Sequence, residues 1–415
     1  MDELMEAFLQ RAKAAAAVIG TLGAGEKNRI LKEMADALDA NKEVIIQENA
    51  KDLDYAKEHN LSSAMVDRLI LNDARIAAMA NSIREVAALK EPVGRVLDGW
   101  QVESGLNIQK VSIPIGVIGI IYESRPNVTS DTAALCFKSS NVCVLKGGKE
   151  AQHSNQVIAD ILQDVLMKND LPKEIISLLP DASREGVAKM IKMDKYVDLI
   201  IPRGGEGLIR YVSENATVPV VKHDKGLCHV YIDEDADLDK ARNIVLNAKC
   251  RRTGICNAME TLLVDVRVAP LVLPEYLKAF AQFGTELRGC ERTRSYIDIA
   301  EAAEEDFDTE YLDNILSIKV VDGVDDAIAH IARYGSGHSE SIVTENYTTG
   351  EKFLNAIDAA CVYINASTQF TDGGEFGFGA EVGISTNKLH ARGPMGINDL
   401  TTYKYKIYGN GQTRA

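Results

Sequence analysis

Cys256 has the sequence surroundings of a reactive thiol. It follows Arg251, Arg252, Thr253 and Gly254 in AKCRRTGICNAMETLLV and precedes a β-like run, which predicts a loop. Two guanidinium groups and loop N–H groups can lower the pKa of a thiol from about 8.5 toward neutrality and so make it a nucleophile. The alternative is a small buried hydrophobic residue, because free cysteine is among the most buried residue types.

Asn127 lies where a predicted strand gives way to a helix. In VIGIIYESRPNVTSDTAALCFK the strand ends at Tyr122, Arg125 and Pro126 break it, and Asn127 stands at the start of the helix. Open α/β sheets bind ligands at such strand ends, and an amide there can donate a hydrogen bond to an oxyanion. The alternative role of Asn127 is that of a helix cap or turn residue.

Two glycine-rich segments also follow predicted strands, and both are shaped to approach a phosphate closely. VCVLKGGKE contributes Lys146, Gly147, Gly148 and Lys149. VDLIIPRGGEGLIR contributes Arg203, Gly204, Gly205 and Gly207. Neither segment has the G-x-G-x-x-G or P-loop spacing, and similar turns are common without ligands.

Three further segments, 334–344, 365–381 and 388–396, are rich in glycine and polar residues. This composition is typical of binding loops rather than hairpin turns. No H-E-x-x-H or C-x-x-C pattern is present, so we expect no metal.

These candidates belong to a sequence that alternates between strand and helix. Residues 2 to about 90 have helical periodicity, and residues 99–116 alternate around Gly105 and Asn107 as in a β-hairpin. Short β-rich runs then alternate with helices over 117–225, ending in VPVVKH, and again from HVYID to AACVYINAS. The pattern predicts an α/β fold with two parallel-sheet domains.

The composition excludes several classes of protein. The chain has 415 residues and is 46% hydrophobic. This length corresponds to roughly two to three domains, which excludes a small scaffold. Its net charge of −15, from 46 basic and 61 acidic residues, argues against a nucleic-acid partner. The scattered cysteines predict reduced thiols in a cytoplasm. The acidic start is unlike a secretory peptide, and no apolar stretch reaches the roughly 18 residues of a membrane span, so we expect no membrane association.

Taken together, the segments resemble the aldehyde dehydrogenase superfamily. The resemblance runs through the whole chain, in the order VIGIIYESRPNVT, VLKGGKE, LIIPRGGEGL, ICNAMETLLV, AIAHIARYGSGHSESI, VYINAST and LHARGPMG. It implies a Rossmann-like cofactor domain, an α/β catalytic domain and a β-hairpin/C-terminal oligomerisation element, hence a homodimer or larger assembly. The implied bounds are 1–98 and 117–225 (with 366–386) for the first, 226–365 for the second, and 99–116 with 387–415 for the third.

The resemblance also implies roles for single residues. Cys256 is the nucleophile, and Asn127 forms the oxyanion hole with the Cys256 backbone N–H. Lys146 lies against the cofactor ribose, Glu310 holds the nicotinamide ribose, and both glycine loops bind the cofactor. Phosphate and substrate contacts are expected from Arg125, Arg252, His338, Ser339 and Arg392, with Arg392 on the substrate carboxylate.

Two departures from the superfamily pattern refine the expected reaction. His223 stands where aldehyde-oxidising members carry the Glu that activates water, so we expect reduction without hydrolysis. Lys149 stands where NAD-using members carry a Glu, and a cation there can pair with a 2′-phosphate, so the expected cofactor is NADPH.

The implied activity is NADPH-dependent reduction of L-glutamyl 5-phosphate to the 5-semialdehyde with release of phosphate, in proline biosynthesis. A transient contact with the glutamate kinase that makes this labile substrate is a further expectation. Three alternatives stay open. They are a hydrolytic NAD(P)-dependent aldehyde dehydrogenase, a catalytically silent binding partner of glutamate kinase, and a thiol redox sensor in which Cys250 resolves Cys256.

Overall fold

The computed structural model describes residues 2–221 and 225–414. Over these residues the chain divides into two units. Unit 1 comprises Met1–Lys222, Gly377–Gly383 and Met395–Ala415, and unit 2 comprises His223–Phe376 and Ile384–Pro394.

Unit 1 begins with the predicted helical region. Its helices are α1 (Asp2–Ile19), α2 (Ala24–Ala40), α3 (Lys42–Glu58), α4 (Ser63–Leu69) and α5 (Asp73–Ala88). The side chains of Ser62 and Asn72 cap α4 and α5 by accepting backbone N–H groups of their first turns. The periodicity of residues 2–90 therefore predicted this region correctly.

The predicted hairpin is present as β1 (Val96–Gln101) and β2 (Asn107–Pro114), which pair antiparallel. Gly105 lies in the turn with φ +85°, a conformation that favours glycine.

A parallel sheet forms the rest of unit 1. Its strands are β3 (Val117–Tyr122), β4 (Val142–Lys146), β5 (Ile176–Leu178) and β6 (Leu199–Arg203), in the order β5-β4-β3-β6. The helices of this series are α6 (Asn127–Lys138), α7 (Gln152–Lys168), α8 (Arg184–Met190) and α9 (Glu206–Asn215). This is the Rossmann-like, doubly wound order, so ligand contacts are expected at the carboxyl ends of the strands.

Unit 2 contains the second strand–helix series. Its elements are β7 (Cys228–Ile232), α10 (Leu238–Cys250), β8 (Met259–Asp265), α11 (Ala269–Ala281), β9 (Glu286–Gly289), α12 (Glu291–Arg294), β10 (Ala300–Glu301), β11 (Ile315–Val321), α13 (Val324–Tyr334), β12 (Ser339–Val343), α14 (Tyr347–Ala356) and β13 (Cys361–Ile364). The strands are parallel in the order β10-β9-β11-β8-β7-β12-β13. Neighbouring residues of β7 belong to cores on opposite faces, Val230 to one and Tyr231 to the other, as in a fully covered parallel sheet.

Two sequence-based assignments need correction. The segment 334–344 is not all loop, because Ser339–Val343 forms the buried strand β12. Its polar residues favoured a loop in the sequence. In the structure Glu340 is buried, because its carboxylate accepts a hydrogen bond from the backbone N–H of His229. The run VPVVKH was expected to be β-rich. Its described part, residues 218–221, forms no strand, and Val220 makes only an isolated β-bridge to Ile200.

The chain ends in three short strands, β14 (Gly383–Ser385), β15 (Gly393–Met395) and β16 (Thr401–Tyr408). β14 pairs with β15, and β16 adds to the hairpin in the order β1-β2-β16. Within the described residues, no helix combines the length and apolar character needed to cross a bilayer.

Candidate active site

Cys256 lies on the loop between α10 and β8, as its sequence surroundings predict. It is half-buried, whereas Cys136, Cys143 and Cys361 are buried within α6, β4 and β13. Because a thiol must be partly accessible to attack a bound molecule, this position suits a nucleophile.

The segment that leads into β7 packs against the backbone of Cys256. A Cβ on Gly226 would overlap the carbonyl oxygen of Cys256 and lie 2.5 Å from its carbonyl carbon. The N–H of Gly226 donates to Oε1 of Glu310 at 2.9 Å. A single glycine therefore connects the Glu310 carboxylate with the backbone of the candidate nucleophile.

A 3-10 turn at Thr368–Phe370 holds the same loop. The hydroxyl of Thr368 donates to the carbonyl of Asn257 at 2.7 Å, and Nε2 of Gln369 donates to the carbonyl of Arg252 at 3.2 Å. The polar segment that suggested a binding loop thus also braces the loop of Cys256.

The arginines near the two candidate catalytic residues differ in their surroundings. Arg251 donates from Nη1 to Oε1 of Gln369 at 3.2 Å, which gives it a bracing contact. Arg252, like Arg251, is exposed on unit 2, and Arg125 is exposed on unit 1.

Asn127 is the first residue of α6 and is exposed. Its Nδ2 donates to Oδ2 of Asp131 at 2.9 Å, one helical turn further on. Burial raises the pKa of Asp131, and the hydrogen bond from Asn127 opposes this rise. An amide group carries two N–H donors, so this contact orients Asn127 while a second donor remains for another acceptor.

Lys146, Gly147, Gly148 and Lys149 follow β4 directly. Lys146 is half-buried, and burial lowers its pKa, whereas the carboxylate of Glu150 acts in the opposite direction. A Cβ on Gly147 would overlap the side-chain amide of Asn155, so a larger residue here would have to displace that buried amide. Lys149 is exposed beside it.

Lys146, Gly147 and Gly148 of this loop line a cleft of about 290 Å³ in unit 1. The cleft lies at the carboxyl ends of β4 and β5. Lys173 adds a cation to its lining, and Arg11 is paired there with Glu174, Nε to Oε1, at 3.5 Å. Cationic side chains and close backbone at parallel strand ends fit a phosphate-bearing dinucleotide.

The second glycine loop is arranged differently. The N–H of Gly205, at the start of α9, donates to Oε2 of Glu123 at 3.0 Å. Gly204 packs against the same carboxylate, and the guanidinium of Arg203 lies against Gly383. Gly207 borders open space. The carboxylate of Glu123 thus accepts the Gly205 N–H group that would otherwise be available to a phosphate.

The predicted substrate residues His338, Ser339 and Arg392 have partners within unit 2. Nδ1 of His338 and Oγ of Ser339 lie 2.8 Å apart, and both residues are buried. Arg392 pairs with Asp358, Nη1 to Oδ1, at 2.8 Å. His223 lies outside the described residues. Among residues 2–221 and 225–414 no group of His, Cys, Asp or Glu side chains is arranged to hold a metal ion.

Sequence analysis missed three residues that shape these loops: Cys228, Gln369 and Glu150. Oε1 of Glu150 accepts both the N–H and the hydroxyl of Ser124, at 2.6 and 2.7 Å, and so joins the segments after β3 and β4. An acid directly after a glycine loop is the signal that could have revealed Glu150. Cys228 and Gln369 gave no such signal, because their partners are distant in sequence.

The fold and these loops are those of the aldehyde dehydrogenase family. The model of the aldehyde dehydrogenase family matches residues 2–289, and the chain belongs to that family.

Within the family, the similarity lies with the gamma-glutamyl phosphate reductases. That of Sulfurimonas denitrificans is 69% identical over 410 residues, which covers 99% of this chain and 100% of that protein. That of Carboxydothermus hydrogenoformans is 52% identical over 415 residues, 100% of both chains. The crystal structure of gamma-glutamyl phosphate reductase from Thermotoga maritima matches with a TM-score of 0.97 at 47% identity, covering 99% of this chain and 100% of that one. The resemblance inferred from the motifs is confirmed.

Proposed function

We propose that this chain reduces L-glutamyl 5-phosphate to L-glutamate 5-semialdehyde in proline biosynthesis, with release of phosphate. The observation that carries the proposal is the position of Cys256, half-buried on a loop whose backbone is held by Gly226, Thr368 and Gln369. A held, accessible thiol suits attack on an acyl carbon. The full-length similarity to gamma-glutamyl phosphate reductases supports the substrate.

In the proposed mechanism, the sulfur of Cys256 bonds to the acyl carbon. The amide of Asn127 and the backbone N–H of Cys256 stabilise the oxyanion that develops. The bond from the acyl carbon to the phosphate oxygen then breaks, phosphate leaves, and a thioester on Cys256 remains. Phosphate is a good leaving group, so the step needs charge stabilisation by Arg252 or Arg125 more than a strong acid.

When bound, NADPH supplies the hydride that reduces the thioester carbonyl. The oxyanion of the resulting thiohemiacetal then collapses, the carbon–sulfur bond breaks, and the thiolate of Cys256 is restored with release of the semialdehyde. His223 at the position of the family's water-activating Glu supports an intermediate that is reduced rather than hydrolysed.

We assign the cofactor to the first glycine loop and its cleft. Lys146 contacts the ribose in this proposal, and the exposed Lys149 meets a 2′-phosphate, which makes NADPH the preferred cofactor. Glu310 would hold the nicotinamide ribose.

The proposal includes a cytoplasmic homo-oligomer that docks through β1, β2 and β16. This sheet exposes large side chains, among them Trp100 at 41% and Tyr405 at 51%. Unpaired edge strands with exposed aromatic residues are stable in solution when another chain covers them. A transient contact with glutamate kinase would protect the labile acyl phosphate.

The test of the proposed activity is the reverse reaction, in which NADP⁺ reduction is followed with the semialdehyde in the presence and absence of inorganic phosphate. Turnover that requires phosphate, and that disappears in Cys256→Ser, supports the proposal. Phosphate-independent formation of glutamate would instead identify a hydrolytic aldehyde dehydrogenase.

A further inference from the structure

A second thiol contacts the backbone of the candidate nucleophile. Sγ of Cys228 lies 3.3 Å from the carbonyl oxygen of Cys256, and the Cys228 side chain is fully buried at the start of β7. Burial raises the pKa of the Cys228 thiol well above its usual range. The S–H group therefore stays protonated at neutral pH and can donate to the carbonyl.

The backbone around Cys228 departs from regular pairing. Cys228 pairs with Met259 and His229 with Thr261, so the register of this parallel pair shifts by one residue at Glu260 in β8. An extra residue in one strand of a pair is left unpaired and locally disrupts the ladder. The shift lies in the strand that directly follows the loop of Cys256.

A row of hydrogen-bonded polar groups, buried from His338 to Thr371, ends on the Cys228 thiol. Nδ1 of His338 lies 3.6 Å from Sγ of Cys228 and 2.8 Å from Oγ of Ser339. Ser339 continues to the hydroxyl of Thr371 at 2.6 Å, and Thr371 to that of Tyr363 at 2.7 Å. Polar groups in a low-dielectric interior hold their orientation because breaking any contact leaves a group unsatisfied. The thiol of Cys228 is therefore held facing the Cys256 carbonyl.

From these three observations we propose that Cys228 is a positioning residue for Cys256. Its thiol fixes the carbonyl of Cys256 and with it the peptide that follows, which sets the direction of the Cys256 side chain. His338 and Ser339 act through Cys228 in this arrangement. The inference rests on the proposed role of Cys256 as the nucleophile.

The test compares three variants with the full-length enzyme. Cys228→Ala removes the donor, and Cys228→Ser keeps a hydroxyl donor in its place. Cys290→Ala is the matched control, because its Sγ also has a hydrogen-bonding partner in unit 2, Oγ1 of Thr293 at 3.3 Å. For each variant we would measure kcat and KM in the phosphate-dependent reverse reaction. The rate of Cys256 alkylation by iodoacetamide would be measured against pH, and the thermal midpoint would be recorded.

We expect Cys228→Ala to lower kcat and the Cys256 alkylation rate by about fivefold, the scale of one hydrogen bond, with KM unchanged. Cys228→Ser should recover most of this loss, and Cys290→Ala should match the parent. The inference is overturned if Cys228→Ala matches the parent, or if Cys228→Ser or Cys290→Ala loses as much as Cys228→Ala. If Cys228→Ala does not fold, the kinetics of folded Cys228→Ser decide: parent-like values support the inference and a fivefold loss overturns it. Retained turnover in Cys256→Ser would defeat the proposed function itself, an outcome distinct from any of these.

Discussion

Gly226 and Cys256 are in direct backbone contact, so close that a Cβ on Gly226 would overlap the carbonyl oxygen of Cys256. Neither group in this contact is a flexible side-chain end that could move aside. The position of the candidate nucleophile is therefore tied to the segment that leads into β7.

The substitution Gly226→Ala tests this contact. The added methyl group must displace the backbone of Cys256, and a shift near 1 Å at a reacting atom can cost about 10²-fold in rate. We expect kcat to fall by about that factor in the reverse reaction. Gly25→Ala in α2 is the control, because nothing lies within 4 Å of a Cβ there. A Gly226→Ala enzyme with the parent kcat would show that the contact does not position the thiol.

Asn127 is expected to act on the transition state rather than on substrate affinity. Loss of one oxyanion-hole donor typically costs 10²–10³ in kcat, so we expect Asn127→Ala to lower kcat by about that range with little change in KM. Asn355→Ala removes an exposed amide that donates to the carbonyl of Glu351 in α14, and it should leave kcat unchanged. An effect of Asn127→Ala on KM alone would argue against the oxyanion role.

Lys149 should determine which adenine nucleotide binds. Reversing its charge in Lys149→Glu removes a charge-assisted contact, so the affinity for adenosine 2′,5′-bisphosphate should fall about tenfold or more. The affinity for adenosine 5′-monophosphate should be unaffected. Calorimetry of both ligands measures this without turnover, and Lys168→Glu, at the end of α7, controls for overall charge. Equal losses for both nucleotides would remove the case for a 2′-phosphate site at Lys149.

His330 makes the stability of unit 2 sensitive to acid. Burial lowers its pKa to about 2, with His229 and Lys319 acting in the same direction. Nζ of Lys319 lies 3.2 Å from Nδ1 of His330, so the neutral ring accepts this hydrogen bond. An unfolded histidine titrates near 6.5. Below that pH the unfolded chain binds a proton that the folded chain does not, and stability falls by up to about 1.4 kcal/mol per pH unit.

The check on His330 is urea unfolding of the parent and His330→Gln at pH 7 and pH 5. The variant should start less stable, because it loses packing against Phe307 and Tyr334. Between pH 7 and pH 5 its free energy of unfolding should fall by about 2 kcal/mol less than that of the parent. Equal losses would show that His330 does not titrate as described.

The sequence predicted the α/β class and most elements because their signals are local. Helical periodicity over residues 2–90 and strand–helix alternation afterwards do not depend on distant partners. The prediction of a loop at Ser339–Val343 was wrong because the strand there depends on a distant partner. The polar residues of this segment are typical of a loop until His229, more than a hundred residues away in sequence, pairs with Glu340.

In the candidate site, too, features with local sequence signals could be predicted and features that depend on distant contacts could not. Cys256 and Asn127 could be found from the residues beside them and from the family resemblance. The contacts that hold Cys256 could not, because Gly226, Cys228 and Gln369 reach it only through the folded sheet. A sequence pattern shows which residues can react, whereas their orientation depends on tertiary contacts.

The most direct test of the account is the intact mass of the enzyme after incubation with the semialdehyde and NADP⁺ without phosphate. Under these conditions hydride transfer can proceed but the thioester has no phosphate to accept its acyl group. We predict an adduct of one glutamyl group, located by peptide mapping to Cys256, lost on addition of phosphate and absent in Cys256→Ser. Phosphate-dependent turnover with no adduct, or with the adduct on another residue, would contradict the role assigned to Cys256.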